Sequence, residues 1–116
     1  MAKAVLIVDD NVFIRQVLWE RFKREADFDV CGEAVNGREA IAKAQQLRPE
    51  LIVLDLSMPV MNGLDAARVL KRLMPRVPII MYSAFGDRWV GSCQKRLPET
   101  LRPWLVSSAR RRPHPR

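Results

Sequence analysis

The sequence predicts an α/β fold, a doubly wound parallel sheet with helices on both faces. Three observations carry this. Val5-Leu6-Ile7-Val8 and Leu51-Ile52-Val53-Leu54 are apolar at every position and rich in β-branched residues. Unbroken apolar runs suit strands covered on both faces, whereas alternation would mark a sheet with one wet face. Such strands alternate with longer amphipathic stretches, the pattern of βα units. Several strands also stop at a polar side chain, Asp9-Asp10, Asp55 or Ser83.

The first strand, Val5 to Val8, stops at Asp9-Asp10-Asn11, residues suited to capping a helix. The next stretch predicts a helix from Val12 to about Ala26, with Phe13, Val17 and Leu18 as its apolar side. Phe28 to Ala34 reads as a short second strand. Asn36-Gly37 opens a second helix with Ala40, Ile41, Ala44 and Leu47 on one face, and Pro49 stops it. Leu51 to Leu54 forms the third strand, ending at Asp55. Met58 to Gly63 reads as a loop punctuated by Pro59 and Gly63. Leu64, Ala67, Val69, Leu70 and Leu73 define a third helix, and Val77 to Ser83 a fourth strand. After Ala84 no βα unit is legible. Residues 85–116 hold Pro98, Pro103, Pro113 and Pro115, and end in the basic run 110–116.

At 116 residues the chain suits one domain. Its net charge of +7 is unevenly placed. Residues 1–90 carry 13 Lys+Arg against 12 Asp+Glu, and residues 91–116 carry 7 against one. The expected division is therefore a nearly neutral unit over 1–90 and a basic tail over 91–116. No apolar run approaches the roughly 18 residues of a membrane span, and no signal-peptide layout opens the chain, so a cytoplasmic protein is expected. Cys31 and Cys93 lack metal-type spacing and are expected to be plain thiols.

Asp9, Asp10 and Asp55 should meet at one end of the sheet, because ligands in such folds lie beyond the carboxyl ends of the strands. Buried like charges need a neutralising partner. A hard divalent cation such as Mg2+ takes one or two carboxylates and uses phosphate oxygens as further ligands. A carboxylate beside that ion can attack phosphorus and form an acyl phosphate. Strand-end acids that merely cap helices explain one such residue better than they explain three.

The segments Val8-Asp9-Asp10-Asn11 with Arg15, Leu54 to Gly63 around Asp55, and Pro78 to Ala84 resemble the receiver domains of bacterial response regulators. They fall at the family's spacing and cover about residues 3–86. The resemblance implies a flavodoxin-like receiver fold. It implies Asp55 as phosphoacceptor, Asp10 as direct Mg2+ ligand, Asp9 acting mainly through a metal-bound water, and the Ser57 carbonyl as a further ligand. Ser83 would hydrogen-bond a phosphoryl oxygen, and Pro59 and Gly63 would shape the loop. The implied partner is a histidine kinase or phosphotransfer protein, with an unspecified output partner. The implied activity is phosphoryl acceptance in a phosphorelay, with no enzymatic turnover beyond self-catalysed phosphotransfer and dephosphorylation.

The family's fifth strand ends in a lysine and carries an aromatic switch residue. Neither is legible here: Lys95 lies in no apolar strand, and Trp104 substitutes poorly. The fifth strand and fifth helix are expected to be missing or degenerate, through truncation or a shifted reading frame near residue 91. Two other functions stay open on these residues. One is a degenerate receiver that binds partners without phosphorylation. The other is non-specific nucleic-acid binding through the basic tail, although no reading module accompanies it.

Overall fold

The computed structural model describes residues 2–83 and 88–92, with backbone alone for Ser83 and 88–92. Four parallel strands are β1 (Lys3–Val8), β2 (Phe28–Ala34), β3 (Leu51–Asp55) and β4 (Ile79–Ser83). Three helices connect them: α1 (Val12–Lys23), α2 (Gly37–Leu47) and α3 (Gly63–Leu73). A further strand, β5 (Arg88–Ser92), pairs with β4, and the sheet order is β2-β1-β3-β4-β5. This is the predicted doubly wound α/β fold of the flavodoxin-like receiver type.

The unbroken apolar strands are explained by which face each residue serves. Leu6, Val8, Ile52, Leu54, Ile79 and Met81 pack with Ala40 and Ala44 of α2 and with Ala66, Ala67 and Leu70 of α3. Their neighbours Val5, Ile7, Leu51, Val53, Ile80 and Tyr82 pack with Leu18 and Phe22 of α1 on the opposite face. With a period of two, a strand buried on both sides has no polar position to offer.

Each helix begins at an asparagine. Asn11 accepts from the amides of Phe13 and Ile14, Asn36 from Glu39, and Asn62 from Asp65. Each side chain satisfies N–H groups that the first turn leaves without a partner. Glu39 also accepts from the amide of Val35, the residue before the cap, which ties the entering chain to the first turn of α2.

Three expectations are corrected. Helix α1 stops at Lys23, short of Ala26, and the amide of Arg24 closes it onto the carbonyls of Arg21 and Phe22. Phe13 and Val17 do not form its buried side: they are 72% and 63% exposed, while Leu18 and Phe22 are buried. Apolar residues surround α1, so periodicity could not choose a face; the Ile14, Leu18, Phe22 stripe at spacing four is the one that meets the sheet. On α3, Leu64 and Leu73 are likewise exposed, and Ala66 joins Ala67 and Leu70 against the sheet.

The fifth strand, expected to be missing or degenerate, takes a degenerate form among the described residues. Strand β5 exists but runs antiparallel, pairing Ser83 with Arg88 and Ile80 with Ser92. Residues 84–87 are too few for the crossover that a parallel neighbour requires, so the chain can cover the β4 edge only by doubling back. A parallel fifth strand is absent among the described residues. Lys95, Trp104 and Cys93 lie outside them, as does the tail from residue 93.

Candidate functional site

The chain passes from β1 to β2 on one side and then returns to β3 on the other side of β1. This reversal leaves a crevice beyond the carboxyl ends of β1 and β3, where open α/β sheets place ligands. Asp9 and Asp10 follow β1 and Asp55 ends β3. One oxygen from each lies within 4.8 Å of the others. Asp9 is 0% and Asp55 2% exposed, whereas Asp10 is open to solvent. The structure thus brings together the three acids that the sequence singles out.

The cluster is held from several directions. The Asn11 amide donates to Asp9 Oδ1 at 2.8 Å, and the Tyr82 hydroxyl donates to Asp9 Oδ2 at 2.5 Å. Arg15 donates through Nη1 to the Asp9 carbonyl at 2.7 Å and through Nε to Glu33 at 2.9 Å. The Ser57 amide reaches Asp55 Oδ1 at 3.3 Å, so residue 57 stands beside the acceptor carboxylate. Ser83 ends β4, one residue beyond Tyr82, which is paired with Asp55. Its side chain is outside the described residues.

The electrostatics follow from burial. Burial, and then the charge of Asp9, push the Asp55 carboxyl up to about 7. Burial likewise raises Asp9, while the Tyr82 hydrogen bond pulls it down. Burial and the Asp9 carboxylate hold the Tyr82 phenol far above its ordinary range. Among the described residues, no cationic side chain forms an ion pair with these three acids. A cluster of hard oxygen donors with unmatched negative charge fits a hard divalent cation.

The loop after β3 is tightly built. Met61 N–H donates to the Pro59 carbonyl at 2.7 Å across Val60, whose φ is 69°. That is a γ-turn centred on a β-branched residue in a region L side chains avoid. Gly63 then donates to the Leu56 carbonyl at 2.8 Å, and a Cβ there would lie 2.1 Å from the Asp55 carbonyl oxygen. Only glycine lets α3 begin this close to the acceptor strand.

Sequence reasoning missed Tyr82 and the Arg15–Glu33 pair as parts of the site. The available signal for Tyr82 was a hydroxyl-bearing aromatic at the end of an otherwise apolar strand, since buried tyrosines usually find a partner for the hydroxyl. Glu33 carried no such signal, because its link to Arg15 spans two elements.

Comparison with known proteins agrees with this geometry. The family model described as response regulator receiver domain matches residues 5–92. The chain is 43% identical over 88 residues to the chemotaxis protein CheY of Thermotoga maritima, covering 76% of this chain and 72% of that one. It is 50% identical over 93 residues to a protein-glutamate methylesterase/protein-glutamine glutaminase of Pyrococcus horikoshii, covering 80% of this chain but 25% of that protein. Among solved structures, the response regulator domain of Thermotoga maritima CheB superposes with a TM-score of 0.71 at 29% identity, covering 94% of this chain and 74% of that one. The CheX-CheY-BeF3-Mg+2 complex of Borrelia burgdorferi gives 0.68 at 28% identity, covering 91% and 72%. With the switch-point crevice, the acid cluster and the matched family model in agreement, the chain belongs to the response regulator receiver domain family of two-component signalling.

Proposed function

We propose that this chain accepts a phosphoryl group on Asp55 from a histidine kinase or phosphotransfer protein, and that the modified pocket acts as a switch for an output partner. The observation that carries this reading is the convergence of Asp9, Asp10 and Asp55 within 4.8 Å at the switch point of the sheet. The Borrelia CheY complex, which holds BeF3 and Mg+2, supports it by analogy.

Mg2+ suits the donor set. Asp10, Asp55 and the Ser57 carbonyl would hold it directly, and Asp9 through a water. When bound, it offsets the charge on the transferring group. An Asp55 oxygen attacks phosphorus as the P–N bond of a phosphohistidine breaks, and the electron pair stays with the departing imidazole. The product is an aspartyl phosphate. Ser83, at the end of β4, would hydrogen-bond a phosphoryl oxygen. The Ser57 amide orients the Asp55 carboxylate before attack.

The reading assigns residues 1–90 to the receiver and 91–116 to a basic tail, and it places the protein in the cytoplasm. The test is labelling with acetyl phosphate and Mg2+. Wild type should take up a hydroxylamine-labile label, and Asp55→Asn should take up none. Label that persists in Asp55→Asn contradicts the assignment. An unlabelled wild type favours a receiver that binds partners without phosphorylation, a reading supported by the lack of a parallel fifth strand among the described residues.

A further inference from the structure

We infer that Tyr82 is a positioning residue for the acid pocket, orienting the Asp9 carboxylate through its hydroxyl; this deepens the proposed acceptor function and rests on it. The Tyr82 ring belongs to the apolar cluster under α1, with Ile7, Val53 and Ile80. Its phenol oxygen nonetheless reaches past β3 to the residue that follows β1 and donates to Asp9 Oδ2 at 2.5 Å. The Asn11 amide occupies Oδ1 at 2.8 Å, so the carboxylate is held at both oxygens and cannot rotate freely. The ring is anchored by packing, which lets the hydroxyl fix a direction that a flexible donor would not.

Tyr82 also touches the other half of the pocket. Its carbonyl accepts from the Leu56 amide at 2.8 Å, next to Asp55, and Ser83 follows it in the chain. One residue thus ties the acid after β1 to the acceptor loop after β3 and to the end of β4. Asp9 would hold the cation through a water, so its orientation sets where that water sits, and supporting groups around a metal site commonly matter about tenfold or more in affinity.

The test uses the full chain and Mg2+ alone, read by titration calorimetry, so it does not depend on phosphorylation. Tyr82→Phe keeps the ring and removes the hydroxyl; it should weaken Mg2+ binding roughly tenfold. Asp9→Asn should weaken binding too, and adding Tyr82→Phe to it should change affinity less than about twofold, because interacting residues are non-additive. Wild-type affinity in Tyr82→Phe, or an equal loss in both backgrounds, overturns the proposal. No Mg2+ binding by wild type overturns it as well.

Tyr82 is the single tyrosine of the chain, which supplies a second readout should Tyr82→Phe not fold. The ultraviolet resonance Raman tyrosine bands should show donation to a carboxylate in wild type and lose that signature in Asp9→Asn. Identical bands in the two proteins overturn the proposal. If Tyr82→Phe weakens Mg2+ binding as expected but acetyl phosphate labels nothing, the positioning role stands and the acceptor function is what fails.

Discussion

In the absence of a cation, the Asp55 carboxyl binds a proton in the native state over a range where the unfolded chain has already released it. Its folded value is about 7 against an ordinary 3.8, chiefly through burial. Stability therefore falls as pH rises from about 4 to about 7, and the penalty is complete above that. Asp9, also raised, acts in the same direction. Asp55→Asn should consequently raise the metal-free melting temperature at pH 8 by several degrees, corresponding to about 1–3 kcal/mol. At pH 4 it should change little. Thermal melts at the two pH values, with a chelator present, check this. Gly63→Ala should have the opposite character. Its new Cβ would strike the Asp55 carbonyl oxygen, which is backbone and cannot step aside. The expected result is a loss of about 3 kcal/mol or more, measured by urea unfolding, together with loss of Asp55 labelling.

Helix α1 shows how packing chooses among apolar residues. Leu18 and Phe22 are buried under it, and Phe22 meets the Phe28 ring edge to face at 5.5 Å. Phe22→Ala should cost about 3–5 kcal/mol in denaturant unfolding. Phe13→Ser, on the same helix, should lie within about 0.5 kcal/mol of wild type. The sequence alone points to Phe13 for the apolar side and does not single out Phe22. Capping was more legible. Asn11 and Asn36 are readable as helix starts because they precede amphipathic stretches. Asn62 was hidden inside a loop whose Pro59 and Gly63 dominate the reading. The antiparallel β5 was illegible for a different reason: its partner is the β4 edge, and Arg88–Ser92 has neither an alternating nor a continuous apolar pattern.

Across the whole molecule, the two faces of the sheet are unequally covered among the described residues. Helices α2 and α3 pack on one face, and α1 packs on the other. The edge beyond β4 is taken by a short antiparallel strand. A domain covered this unevenly should melt cooperatively but below about 60 °C, by circular dichroism of the purified chain. Saturating Mg2+ should raise that temperature, since a ligand of the native state stabilises by mass action.

The sequence by itself determined the α/β class, the parallel order of elements and the three acids at the strand ends. These are legible because a strand buried on both faces must be apolar throughout, and a carboxylate at its end stands out against that background. Tertiary structure alone decided that one oxygen from each acid comes within 4.8 Å of the others, that Tyr82 crosses from the apolar layer to hold Asp9, and that α1 turns Phe13 and Val17 to solvent. Each of these depends on residues far apart in the chain, brought together by the strand order and by the competition of side chains for one core.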